Sequence, residues 1–181
     1  MLPGENQADY IDVSARVVKA ARPRDAIEEF LVRDVIDLTW EVFRLRRAKA
    51  GVLVASMSVG VQKVLDGLGH GRRESYGYTN RLGQGWRAGD KDARKEVEAA
   101  LKTAELTIDA VTAKTLESKI DSFERLDRML SSAEARRNNA LRDIDRHRDV
   151  LGAHVRRSIE QIEDAEFREV DSAEATAGAQ S

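Results

Sequence analysis

The chain has no cysteine, only two prolines and few aromatic side chains. Without cysteine there are no disulfides, thiolate nucleophiles, iron–sulfur clusters or cysteine zinc sites; a reducing compartment fits, and a cytoplasmic location is expected. No proline follows Pro23, so no later residue interrupts a helix by lacking a backbone N–H. Aromatics make up 5% and charged residues 34%, a balance that suits long helices better than a compact α/β enzyme. The net charge of −2 exerts no long-range pull on nucleic acid or anionic membrane. The longest uncharged run, Ala50 to Gln62, is 13 residues between Lys49 and Lys63. A bilayer span needs ~20, so no membrane partner is expected. The stretch Met1-Leu2-Pro3-Gly4-Glu5-Asn6 has no basic region leading into an apolar core, and no signal peptide is expected.

What the chain does have is apolar periodicity. Leu116, Phe123, Leu130, Ile144 and Leu151 fall on one column at sevenfold spacing, interrupted by Arg137. Ile120, Leu141, Val155 and Ile162 form an adjacent column, with Leu126, Ala133 and Ala140 between. So long and narrow a stripe must lie against another long helix. The partner within the chain is the earlier run Leu31, Leu38, Leu45, Val52 and Val59, flanked by Ile36, Phe43, Ala50 and Met57. A short first helix over Gln7–Ala21 precedes it and ends at Pro23. Gly51 and Gly60 weaken the long helix, because glycine costs ~1 kcal/mol against alanine in a helix interior. Their small surroundings mark a close helix–helix contact, a partner's docking face or a buried internal segment.

Seven of the twelve glycines lie in 67–89, with Arg72, Arg73, Arg81 and Arg87 against Glu74, and with His70, Tyr76, Tyr78 and Trp86 interspersed. This stretch is expected to be a basic, aromatic connecting loop. A helix capped by Asp90 or Asp92 follows, with a kink or short break expected in 107–115, where Thr107, Thr112 and Thr115 cluster. The expected organisation is one all-α domain, an elongated antiparallel helical hairpin of coiled-coil-like character. Its parts are an N-terminal segment and short helix over 1–22, a first long helix over 23–66, the loop at 67–89, a C-terminal helical arm over 90–170 and a tail at 171–181.

No catalytic motif survives inspection. His147-Arg148-Asp149 spells the start of a kinase catalytic loop, but His154 stands where the metal-binding asparagine belongs. Gly67-Leu68-Gly69-His70-Gly71 lacks the Lys-Ser or Lys-Thr pair of a phosphate loop. Asp143 and His147 offer two metal ligands from one helix without a third, and no Glu-x-x-His occurs. No enzyme activity, metal or cofactor is expected.

Two functional readings remain. The first is an interaction or scaffold protein that self-associates as a homo-oligomer and holds a protein partner. Its interface would use Phe123, Leu130, Leu141, Ile144, Leu151, Val155 and Ile162. The second is a nucleic-acid-binding accessory factor. From 136 to 157 seven arginines stand against three aspartates, a balance of +4. Arg136, Arg142, Arg146, Arg156 and Arg157 would meet phosphates, together with Arg72, Arg73 and Arg81 of the loop, whose aromatics would stack on bases. The competing view is a solvated face of helical ion pairs.

Two stretches carry a resemblance. They are Leu2-Pro3-Gly4-Glu5-Asn6-Gln7-Ala8-Asp9-Tyr10, continued by Glu28-Glu29-Phe30-Leu31-Val32 and Trp40-Glu41-Val42-Phe43-Arg44-Leu45, and Leu126-Asp127-Arg128 with Glu134, Arg137 and Ala140-Leu141. Over about a third of its length the chain resembles a family of short, helical, uncharacterised bacterial proteins. The resemblance implies a helical fold and no activity. Members' loose link with mobile elements leans towards nucleic acid. Relatives often have a basic arm before the Leu-Pro-Gly-Glu segment, where this chain begins, and Arg-Tyr where it has Arg128-Met129.

Overall fold

The computed structural model describes residues 4–69 and 77–178, with side chains described as far as 162. Among the described residues there are six helices and no strand: α1 Gln7–Ala21, α2 Ala26–Gly67, α3 Tyr78–Ala88, α4 Lys91–Thr103, α5 Ile108–Ser118 and α6 Ile120–Gly178. The fold is an all-α helical bundle, as the periodicity predicts. The residues expected as one domain gather into two compact units, Met1–Leu38 with Ala135–Ser181 and Thr39–Glu134. Helices α2 and α6 each contribute to both.

In the first unit, α1 starts on Asn6, whose side chain accepts the Ala8 N–H at 3.0 Å. It ends where Arg22 turns left-handed (φ 47°) and donates its N–H to the Val18 carbonyl, just before Pro23. Val32, Val35 and Ile36 of α2 are buried against Ala140 and Ile144 of α6, with Tyr10, Val17 and Ala21 of α1 packed on the same cluster. Each such valine or isoleucine is worth ~1.5–3 kcal/mol when fully buried.

In the second unit, Val42 and Leu45 pack on Ala133, Leu126 and Leu130. Arg46 reaches Glu134 at 2.8 Å and Lys49 reaches Asp127 at 2.6 Å. Their partners fall in number as α2 rises, so the two helices run antiparallel here. These exposed pairs set register more than stability, at ~0–1 kcal/mol each. A larger core gathers Val61, Val64 and Leu65 of α2, Leu82 of α3, Val97 and Leu101 of α4 and Val111 of α5.

Three local expectations are corrected. Residues 78–88, expected within a loop, form α3. Glycine at 83 and 85 costs helix propensity, but a methyl at 83 would strike the Ser58 carbonyl and one at 85 would come within 2.9 Å of the Ala93 Cβ. Both glycines permit close helix contact, and Leu82 and Trp86 bring α3 onto the core. The break expected in 107–115 lies earlier, at 104–107, with a second at Lys119. Glu105 takes φ 55°, the Leu106 N–H reaches the Leu101 carbonyl at 2.9 Å, and the Thr107 side chain accepts from the Asp109 N–H. Finally, α6 continues to Gly178, through most of the expected tail. Ala173, Ala175 and Ala177 are the strongest helix formers, and no glycine or proline intervenes before Gly178. Residues 70–76 of the expected loop lie outside the described residues.

Asp90 is the cap of α4, its carboxylate accepting the Ala93 N–H at 2.8 Å. Asp90→Ala is expected to cost about 0.5–2 kcal/mol, read as a lower urea midpoint with unchanged helix content in the native baseline.

Candidate functional site

The tripeptide His147-Arg148-Asp149 takes a role that local sequence does not announce. Arg148 projects from α6 onto the corner between α1 and α2. Its Nε and Nη2 donate to the two carboxylate oxygens of Glu28, both at 2.9 Å, and Nη2 also donates to the Ala21 carbonyl at 2.7 Å. Glu28 is fully buried and Arg148 half-buried, so salt screens this pair less than a surface one. Glu28 also accepts the Arg24 N–H at 3.0 Å, while Asp25 accepts the Glu28 N–H at 2.8 Å. The exchange resembles a capping box at the start of α2. His147 completes the group, its Nε2 lying 2.8 Å from an Asp25 oxygen.

The Arg148 guanidinium holds the Glu28 carboxyl below its usual range, against the opposing effect of burial, and the Arg24 N–H adds to the depression. Asp25 is lowered first by the Glu28 N–H and then by His147. Asp25, Glu28 and His147 bring three donor groups within 4.8 Å of one another. Both Glu28 oxygens are engaged by Arg148, however, and a cation would have to displace that guanidinium. The cluster is built as a clasp joining three helices. Asp143, weighed above as a ligand beside His147, instead holds Arg146 at 3.1 Å.

A groove of about 520 Å³ between α1 and α2 is lined by Tyr10, Val18, Pro23, Val32, Arg33 and Asp37. Its Tyr10 hydroxyl donates to Asp37 at 2.6 Å, which raises the phenol's pKa. Helix α2 is long and apolar enough to cross a membrane by length and composition. Of that apolar stretch 28% is buried, and Val61, Val64 and Leu65 of the same helix lie in the second unit's core.

The expected interface residues separate by burial. Phe123 is buried, Ile144 is buried and Leu130 half-buried, the last two within the chain's own clusters. Leu141, Leu151, Val155 and Ile162 are exposed, at 42% for Leu151 and 65% for Ile162. Val150 and Ile159, which the column reading missed, are exposed beside them. Among the expected phosphate contacts, Arg72 and Arg73 lie outside the described residues. Arg81, Arg136, Arg142, Arg156 and Arg157 are exposed, and Arg146 is exposed but paired with Asp143. Two of the loop aromatics are drawn inward: Trp86 and Tyr78 pack on the core, and the Tyr78 hydroxyl donates to Glu96. Comparison with protein-family models, with curated proteins and with solved structures finds no match to this chain.

Proposed function

We propose that the chain is a non-enzymatic helical interaction protein that self-associates through α6 and holds a protein partner. One observation carries the proposal. Arg148 of α6 meets Glu28 in the first turn of α2, and beyond it Val150, Leu151, Val155, Ile159 and Ile162 are all exposed. An apolar face kept at helical spacing without a cover is the mark of an association surface. Ile27 and Phe30, 55% and 70% exposed on α2, offer a second apolar patch for a protein partner.

The test is sedimentation or light scattering of the full chain at micromolar concentration. The wild type is expected to exceed monomer mass, and Leu151→Glu with Val155→Glu to run as a monomer with unchanged helical circular dichroism. Two side chains at ~1.5–3 kcal/mol each correspond to at least a ~100-fold loss of affinity. A monomeric wild type overturns the proposal.

The nucleic-acid reading draws on the exposed Arg142, Arg156 and Arg157. It has less support, because Arg146 and Arg148 serve pairs within the chain and two of the aromatics meant for stacking, Tyr78 and Trp86, are packed. A gel shift at low salt that disappears as salt rises would favour it.

A further inference from the structure

The charge on α6 is divided lengthwise. Residues 136–157 carry +4, and residues 160–174 carry seven acids against Arg168, or −6. A second copy laid parallel and in register would set basic on basic and acidic on acidic. Laid antiparallel, each copy's basic stretch faces the other's acidic stretch.

The apolar positions choose among antiparallel registers. Leu141, Val155 and Ile162 occupy one seam position of the heptad and Leu151, Ser158 and Ala165 the other, and an antiparallel pair sets one kind against the other. A register centred between Arg156 and Arg157 sets Leu151 opposite Ile162 twice, and Val155 opposite Ser158 twice. Moving the centre towards the C-terminus by half a heptad instead sets Leu151 against Glu169. Moving it equally towards the N-terminus sets Ile162 against Ile144, which Val32, Val35 and Ile36 already cover.

We infer that the occupant of the exposed α6 strip is the same strip of a second copy, antiparallel and crossing near Arg156 and Arg157. This rests on the proposal of self-association and adds direction and register. The helices then hold together by the Leu151–Ile162 contacts, and complementary charge sets their direction.

The absence of native cysteine makes single-site spin labelling direct. Labels are placed on the full chain at His154→Cys, an exposed site near the crossing that flanks the seam, and at Asn138→Cys, an exposed site well away from it. The antiparallel pair predicts about 10–15 Å between labels at 154 and about 55 Å between labels at 138, at 1.5 Å per residue. Short distances at both sites mean a parallel pair: association stands and this inference falls. A long distance at 154 places the interface elsewhere and overturns it too. No dipolar coupling at either site means a monomer, which removes self-association itself. Salt supplies a second sign: raising it from 0.05 to 0.5 M is expected to weaken an antiparallel pair several-fold, whereas a parallel pair would tighten.

Discussion

Gly60→Ala lowers the stability of the second unit by about 1–3 kcal/mol, while Gly51→Ala, nine residues earlier in the same helix, raises it by about 0.5–1 kcal/mol. The same substitution changes sign because the surroundings differ. At Gly51 an added methyl meets nothing within 4 Å, so only the lost freedom of the unfolded chain counts. At Gly60 the methyl would run into the Thr115 hydroxyl and come within 2.5 Å of the Val111 carbonyl. Thr115 has no exposed surface and its hydroxyl already donates to that carbonyl at 2.8 Å, so α5 itself must shift. The helix-propensity gain of ~1 kcal/mol is smaller than the cost of pushing two packed backbones apart. Urea unfolding of the two single variants measures both signs. Equal and favourable shifts would mean that α2 and α5 do not approach as described.

Glu28→Gln lowers stability at neutral pH and flattens the acid limb of the stability profile. A carboxyl whose folded pKa is depressed contributes its full stabilisation above its unfolded value, near 4.5 for glutamate. The contribution is lost as pH falls through the lower folded value. Arg148 stays charged across this window, its own pKa raised by Glu28. Wild type and variant should therefore differ most above the unfolded value and converge as pH falls below it. Asp25 keeps a residual dependence of the same sign in both proteins. Thermal midpoints across that range decide it: parallel curves would mean that Glu28 is not held by Arg148. Because Glu28 is buried, added salt should change the difference less than it would for a surface pair.

The architecture was legible because it rests on spacing. The first helix spans the predicted residues, and the predicted apolar pattern supplies Ile36 and Leu45 of α2 and Ala133, Ala140 and Ile144 of α6 to the cores. Helix α3 was not legible, because the glycines that mark loops also let helices touch, and only a neighbour such as the Ser58 carbonyl tells the two apart. The break at 104–107 had a weak local signal in Thr107-Ile108-Asp109, a capping hydroxyl followed by an acid in the first turn. Seven columnar residues could not be divided into covered and uncovered ones, since periodicity names the apolar side but not where a partner stops. The clasp had no local signature at all, because Glu28 and Arg148 lie 120 residues apart.

That separation has a consequence during synthesis. The corner between α1 and α2 leaves the ribosome early, while the guanidinium that ties the Ala21 carbonyl to Glu28 comes 120 and more residues later. At ~5–20 residues per second the delay is roughly 6–24 s. Throughout it Glu28 has no cation to enclose it, so a nascent chain truncated before Arg148 should leave this corner open to proteases.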